Sequence, residues 1–339
     1  MLTRIVIDSL KSISPSCSRL FTQEGGEMRA SWVSPLIAMG FVVCWSSGFV
    51  GGRLATEADT PVLSLFAWRF LLASLLVALW WRLVGGVRLA QRDVVREMAV
   101  GSLTMGGYLL GVILALEQGV STGVTALITA LQPLLAASLA GPWLGERLSA
   151  RGWAGMAIAT LGVLLYVVDD IEHGGGSAPL WAYALPLGSV VAVTLGSLLA
   201  VRWATAMPLA ATLMVQLFAA TGIFTLAAMI VAGGAPALPT DRLSISAIGW
   251  LVVLSSLGGY GFFVASLRRL GVTLTSSLVY LTPAVTLLWA AAMFGEQPSA
   301  QGIAGMAIAI AGAGLAMHSV DTAGPRPRAP IARHEPRTS

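Results

Sequence analysis

The stretch Ala154-Gly155-Met156-Ala157-Ile158-Ala159 recurs as Ala304-Gly305-Met306-Ala307-Ile308-Ala309, at a constant offset of 150 residues. The match extends over residues 131–162 and 281–312, where 15 of the 32 aligned positions are identical. Two unrelated apolar segments would agree far less often, so an internal duplication explains the identity best. The chain therefore contains two copies of one structural unit.

The duplication extends towards the N-terminal side of each copy. Gly106-Gly107-Tyr108 matches Gly258-Gly259-Tyr260 at an offset of 152 residues. Further back, Arg69 aligns with Gln216, and each lies in the second apolar segment of its copy. Most of each half of the chain is thus part of the repeat.

The composition identifies the repeated unit as a bundle of membrane helices. The chain is 56% hydrophobic and 11% charged, with a mean hydropathy of +0.81, whereas a soluble domain carries roughly 25% charged residues. Apolar runs of about 20 residues can cross a bilayer as helices, which satisfy their backbone polar groups internally. We predict ten such helices, over residues 33–52, 61–81, 97–116, 121–143, 152–168, 179–200, 207–232, 245–266, 272–294 and 300–318.

The basic residues indicate how these helices are oriented. With the N-terminus in the cytoplasm, 17 of the 20 Lys and Arg residues lie in cytoplasmic segments. Arg53 and Arg242 lie in outer loops, and Arg69 lies within a helix. This bias follows the positive-inside rule and predicts that both termini are cytoplasmic. No secretory signal is recognised before the first helix, and Met1 and Met28 both stay open as the start.

The predicted fold class is all-α: a polytopic membrane helix bundle with ten transmembrane helices in a 5+5 inverted repeat. Because five is odd, the second copy must insert upside down relative to the first. Two halves of opposite topology can exchange conformations and open one shared site to either side. We predict a cytoplasmic segment over residues 1–31, a first repeat over 32–170, a linker over 171–178, a second repeat over 179–318 and a disordered cytoplasmic tail over 319–339.

Several short motifs in both copies carry a family resemblance. They are Trp45-Ser46-Ser47-Gly48-Phe49, Trp68-Arg69-Phe70, the stretch Ala126–Pro133, the motif Leu144-Gly145-Glu146-Arg147-Leu148 and the echo of the last two from Leu281 to Glu296. In these motifs the chain resembles the EamA-type members of the drug/metabolite transporter superfamily, which have two repeated domains.

The resemblance covers about residues 32–318. It implies a central cavity lined mainly by helices one, three and four of the first copy and helices six, eight and nine, which belong to the second. It also implies transport, because many bacterial members export amino acids or related metabolites. No cofactor or metal is expected, since no His, Cys and carboxylate cluster has metal-ligand spacing and no phosphate-binding glycine-rich loop is recognised.

The candidate solute-binding residues are aromatic or polar side chains at membrane depth. Tyr108 and Tyr260 follow equivalent Gly-Gly pairs, and a ring with a hydroxyl suits a solute with apolar and polar parts. Packing against neighbouring helices stays open as the alternative. The predicted set comprises Tyr108, Tyr260, Arg69, Trp45, Ser46, Thr129, Gln132, Tyr280 and Thr282.

Pro133 and Pro283 are predicted to break or kink helices four and nine. A kink frees backbone carbonyls that a solute could contact, or it serves as a hinge without such contact. The polar residues near each proline recur every three or four positions and form a mildly polar stripe. This stripe either lines the cavity or forms hydrogen bonds between helices.

Arg69 lies about 12 Å into its helix at a rise of about 1.5 Å per residue. An arginine at that depth costs about 2.5–3.5 kcal/mol on insertion scales, so it must face the bundle or a wet cavity. It either binds a solute carboxylate or bonds to neighbouring helices, and the neutral Gln216 in the second copy favours the structural role. No carboxylate is expected at mid-membrane, and Glu117, at the outer end of helix three, is the nearest.

Together these features predict an exporter of small amphipathic or zwitterionic metabolites, such as amino acids, that works by alternating access. A neutral, aromatic lining with one buried positive charge argues against a multiply phosphorylated solute. An importer or exchanger of a sugar, nucleoside, vitamin or amine stays open. An intramembrane enzyme is a remote alternative, because no catalytic acid–base pair is recognised inside the bundle.

The expected partners are the small-molecule solute and the lipid bilayer, and no nucleic acid. Abundant Ala, Gly and Arg with a single Lys indicate a bacterial inner membrane. The small-residue pairs Gly155/Ala159 and Gly305/Ala309 suit close helix packing, either within the bundle or in a homodimer.

Overall fold

Apolar helices make up almost all of the molecule. The computed structural model describes residues 23–120, 122–136, 139, 149–173, 178–294 and 299–318, and within these ranges it contains helices and turns but no β-strand. The predicted disordered tail and most of the predicted N-terminal segment lie outside the described residues. So do Glu146 and Glu296.

The helices follow the predicted apolar segments, with differences at their ends. They are α1 (Gln23–Thr56), α2 (Val62–Leu83), α3 (Gln91–Glu117), α4 (Thr122–Ala136), α5 (Ala150–His173), α6 (Leu180–Trp203), α7 (Leu209–Ala232), α8 (Arg242–Val272), α9 (Leu274–Phe294) and α10 (Ala300–His318).

Seven of these helices are long and apolar enough to cross a membrane, counted over the described residues. The seven are α1, α2, α3, α6, α7, α8 and α9. In the other three, the apolar stretches Thr122–Ala136, Ala150–Leu165 and Ala300–Gly312 are shorter. The described structure therefore establishes an all-helical fold with seven candidate spans, rather than the ten predicted.

The two motifs that define the repeat pack against each other in α5 and α10. A Cβ built on Gly162 would lie 2.4 Å from the backbone nitrogen of Ala309. A Cβ built on Gly312 would lie 2.3 Å from the backbone nitrogen of Ala159. These are the same contact with the two copies exchanged, which is the mark of a two-fold relation.

The order of these contacts gives the relative direction of α5 and α10. Gly162 lies against residues 305–309 of α10. Residues 155–159, which precede Gly162 in α5, lie against Gly312, which follows residues 305–309 in α10. One residue number rises as the other falls, so the two helices are antiparallel. The small-residue pairs are thus used within the chain, and a homodimer would have to form through another surface.

The helices α3 and α8 share an uncommon backbone feature. Residues Ser102–Gly107 of α3 and Leu251–Tyr260 of α8 form π-helix, which is rare and occurs often at functional sites. In both helices the π-helical segment contains the Gly-Gly pair that the repeat alignment matched. Equivalent segments of the two copies are therefore distorted in the same way.

The Gly-Gly pairs also bring the two halves together. A Cβ on Gly106 would lie 2.3 Å from the Ile223 side chain of α7. A Cβ on Gly259 would lie 3.3 Å from the backbone oxygen of Cys44 in α1. Because α3 packs on the second half and α8 on the first, the halves are interlocked rather than placed side by side.

A capped helix start fixes the beginning of α8. The backbone N–H of Ser244 donates to Asp241 Oδ1 over 2.8 Å, and the Ser244 hydroxyl donates to the other carboxylate oxygen. The hydroxyl of Thr60, just before α2, also donates to Asp241. Hydrogen bonds from the Ser244 side chain and backbone hold the pKa of Asp241 below its ordinary value.

We expect Gly312→Ala to destabilise the protein by about 1–3 kcal/mol, because the new methyl group meets backbone atoms that cannot move aside. Gly314→Ala is the matched control, since a Cβ there meets nothing within 4 Å. Thermal unfolding of the purified variants in detergent measures the difference. Equal unfolding midpoints for the two variants would show that the α5–α10 contact is looser than described.

We expect Asp241→Ala to lower the thermal midpoint near neutral pH, because it removes the N-cap of α8. The folded pKa of Asp241 is depressed, so its stabilisation is complete above the unfolded pKa and is lost as the pH falls through the folded pKa. The gap between wild type and variant should therefore close in strongly acidic solution. A gap that is independent of pH would contradict the assigned cap.

Candidate functional site

An aromatic cluster lies where α1, α3 and α8 meet. The ring of Trp45 is 5.4 Å from that of Tyr108 and 5.2 Å from that of Tyr260, measured between centroids. Phe263 and Phe41 extend the cluster at 4.9 and 5.2 Å from Trp45. The structure thus brings together the two tyrosines that the repeat alignment paired, on either side of one tryptophan.

A small cavity lies against this cluster. It is lined by Trp45, Gly48, Phe49, Tyr108, Leu109, Val112, Ser255 and Tyr260. The lining is mainly aromatic and aliphatic, with a few hydroxyl groups. It comes from α1 and α3 of the first half and from α8 of the second, so the cavity lies between the halves.

Arg69 lies beside this cavity and joins the two halves. Its Nη2 donates to Ser255 Oγ over 2.7 Å, and its Nε donates to Ser256 Oγ over 2.9 Å. The guanidinium also stacks near Phe66 and Phe70, with its central carbon 4.9 and 4.7 Å from the two ring centroids. Arg69 is fully buried, and α2 of the first half is thereby tied to the π-helical segment of α8.

The position equivalent to Arg69 holds a different polar contact. Gln216 of α7 donates from Nε2 to Glu97 Oε2 over 2.7 Å, and the hydroxyl of Thr205 donates to the other oxygen of Glu97. Gly101 allows this approach, because a Cβ there would lie 2.5 Å from the Cα of Gln216. At this junction α7 of the second half is tied to α3 of the first.

Glu97 is a buried carboxylate that sequence analysis did not single out. It is 5% exposed and lies seven residues into α3. Sequence analysis placed the start of this helix at residue 97, whereas it begins at Gln91. The earlier start brings Glu97 inside the bundle, while Glu117 lies exposed at the other end of the same helix.

The remaining predicted site residues do not line this cavity; they lie on α1, α4 and α9. The hydroxyls of Thr129 and Thr282 donate to carbonyls of their own helices, Ala126 O and Val279 O. Ser46 donates to its own helix and to Thr282 O, over 3.1 Å. These hydroxyls are thus used mainly within or between helices.

Two predicted residues of α4 and α9 have incomplete or long contacts. Gln132 Nε2 lies 3.4 Å from Ser276 Oγ and bridges α4 to α9. The hydroxyl of Tyr280 is buried and has no hydrogen-bond partner among the described residues. The polar stripe therefore contains a group that bonds between helices, Gln132, and a group without a hydrogen bond among the described residues, the Tyr280 hydroxyl.

The helix geometry changes just before each of the two prolines. In α4, helical structure stops at Thr129 and resumes at Gln132 after two turn residues, just ahead of Pro133. In α9, a 3-10 turn over Val279–Leu281 precedes Pro283. Pro283 also lines a second small cavity, which lies between α4, α9 and α10 together with Thr122, Gly123, Leu127, Thr286, Leu287, Ala290 and Met306.

Sequence analysis missed Ser255, Gly48 and Phe49 in the wall of the aromatic cavity. A signal for Ser255 was present, because the pair Ser255-Ser256 lies one residue before the matched Gly258-Gly259-Tyr260. Gly48 and Phe49 lie in the motif that begins at Trp45, so they could have been included with it. Nothing in the sequence indicated that Ser255 would contact Arg69, which lies 186 positions away.

Comparisons with known proteins support one family. The model of the EamA-like transporter family matches residues 32–168 and again residues 180–317. The uncharacterized inner membrane transporter YedA of Escherichia coli strain K12 is 24% identical over 272 residues, which cover 79% of this chain and 86% of that protein. Proteins of the same name from E. coli O6:H1 and O157:H7 match with the same figures.

The fold also matches a solved crystal structure. That structure superposes with a TM-score of 0.68 at 20% sequence identity. The match covers 85% of this chain and 97% of the other. At this level of identity the two chains share a fold.

We expect Glu97→Ala to destabilise the protein by about 1–3 kcal/mol, because it leaves the amide of Gln216 buried without its acceptor. Glu97→Gln should cost less, since its oxygen can still accept one hydrogen bond. Glu117→Ala is the control, because this exposed residue at the end of the same helix should change stability by about 0.5 kcal/mol or less. Chemical or thermal unfolding in detergent ranks the three variants, and equal stability of all three would contradict the buried contact.

Proposed function

The chain belongs to the EamA-like transporter family, and on that premise we propose that it is a secondary transporter of small amphipathic or zwitterionic metabolites. The single observation that carries this proposal is the family match to both halves of the chain. The match covers the helices that surround the aromatic cavity. Enzymatic activity forms no part of the proposal.

The proposed architecture is a 5+5 inverted repeat of ten transmembrane helices, α1–α5 and α6–α10. Antiparallel packing of α5 on α10, through equivalent glycines, supports the inversion. The three shorter apolar helices α4, α5 and α10 would complete the ten when added to the seven candidate spans. In such an arrangement, two halves can rock against each other around a central site.

The proposed solute site is the cavity beside Trp45, Tyr108 and Tyr260. These side chains are 6%, 3% and 2% exposed, so they are buried in the described conformation. The aromatic faces would bind the apolar part of a solute, and the hydroxyls would bind its polar part. Alternating access would then require the two halves to move relative to each other, which the contacts of Arg69 between α2 and α8 and of Glu97 between α3 and α7 would resist.

The proposed location is a bacterial inner membrane with both termini in the cytoplasm, and the proposed net direction is export. The inner-membrane location is supported by the relative YedA. The orientation is supported by the excess of basic residues in the segments assigned to the cytoplasm. The direction rests on the resemblance to bacterial exporters.

The proposal is tested by exchange in proteoliposomes. Purified protein is reconstituted in vesicles loaded with one unlabelled solute, and entry of the same labelled solute is measured across a panel of amino acids, amines, nucleosides and sugars. We expect saturable exchange of at least one small amphipathic or zwitterionic solute. Absence of exchange for the whole panel, with correctly folded protein, would contradict the proposal.

The site is tested by Trp45→Ala. Loss of the central ring removes the aromatic surface proposed to bind the apolar part of the solute, so the KM for the exchanged solute should rise about tenfold. Trp153→Ala is the matched control, because this tryptophan lies 42% exposed on α5, away from the cavity. Equal KM values for the two variants would place the solute elsewhere.

A further inference from the structure

Among the described residues, the buried positive charge of Arg69 has no counter-ion. Its hydrogen-bond partners Ser255 and Ser256 are neutral, and no carboxylate lies within 4 Å of the guanidinium among the described residues. Its Nη1 has no hydrogen-bond partner in the same part of the chain. A fully buried charge with an unused donor is costly unless an anion completes the site.

A second buried group beside the cavity also lacks a partner. The hydroxyl of Tyr260 is buried without a hydrogen bond to any described residue, and the Tyr260 ring lies 6.4 Å from that of Phe70, on which the Arg69 guanidinium stacks. Ser255 connects the two, because it accepts from Arg69 and lines the same cavity as Tyr260. Three donor groups from α2 and α8 therefore lie together at the cavity wall.

The equivalent junction of the other half, between α7 and α3, contains different polar groups. There Gln216 is neutral and its Nε2 donates to the carboxylate of Glu97. A basic group is also near that junction, because Arg268 donates to Thr212, one turn before Gln216 on α7. The two copies are thus alike in fold but differ at these positions: Arg69 is a buried guanidinium bonded to neutral serines, whereas Gln216 is neutral and bonded to a carboxylate.

We propose that the solute carries a carboxylate, which binds at Ser255 and Tyr260 with Arg69 as its counter-ion; this inference rests on the proposed transport function. The apolar remainder of the solute would lie against Trp45 and Tyr108. A single guanidinium with two hydroxyls matches one carboxylate, whereas a phosphate dianion is bound best by several basic groups. The substrate class is thus small monocarboxylates with an apolar body, including apolar amino acids.

The inference is tested with matched pairs of solutes. Exchange of each labelled amino acid is competed with the same amino acid and with its primary amide, which keeps the side chain and loses the carboxylate. We expect the amide to compete at least tenfold more weakly. If the protein exchanges an amine, nucleoside or sugar as well as any carboxylate, transport stands and the carboxylate inference fails. If it exchanges nothing in the panel, the proposed function itself fails.

Variants of the site separate solute binding from a purely structural role. Arg69→Gln reproduces the neutral residue of the other half and should raise the KM for a carboxylate solute at least tenfold. Ser255→Ala and Ser256→Ala form the matched pair, because both serines bond to Arg69 but only Ser255 lines the cavity. We expect Ser255→Ala to raise the KM severalfold and Ser256→Ala to leave it within about twofold.

If Arg69→Gln does not fold, the variants Ser255→Ala and Ser256→Ala still test the inference. Equal effects of the two serine variants on the KM would mean that the contact only holds α2 to α8, and would overturn the inference. The thermal midpoints of both variants, measured in the same preparations, show whether each serine also stabilises the fold. A KM change confined to Ser255→Ala at similar midpoints would support solute binding.

Discussion

The backbone contact between α5 and α10 determines how the two halves of the chain face each other. Gly162 and Gly312 have no side chain, so each helix can approach the main chain of the other. Exchanging the two copies gives the same contact, so the duplicated helices α5 and α10 pack antiparallel and are related by a two-fold axis. The interlocked positions of α3 and α8, each packed on the opposite half, follow the same relation.

The aromatic cavity depends on the way α3 and α8 are wound. Each contains a π-helical segment that includes its Gly-Gly pair; Tyr108 directly follows this segment in α3, and Tyr260 ends it in α8. Close approach of Gly259 to α1 brings Tyr260 against Trp45. The site therefore arises from backbone features that the duplication preserved, while the polar groups around it differ between the copies.

The sequence predicted the parts of this structure that periodic or repeated patterns encode. Long apolar runs placed the helices, and the alignment paired Tyr108 with Tyr260, which meet across Trp45. The contacts of Arg69 with Ser255 and Ser256 could not be predicted from the sequence, because they join residues far apart in the chain and depend on how α2 crosses α8. Glu97 was missed because the polar first turns of α3 resemble a loop, although they continue the helix into the bundle.

A duplicated molecule with identical halves would have two end states of equal free energy, since each would be the other turned over. In the proposed alternating-access cycle, this chain would not have that degeneracy. Opening at one junction would separate Arg69 from two serines, whereas opening at the other would separate Gln216 from Glu97. Different bonds would break in each case, so the two end states would differ in free energy.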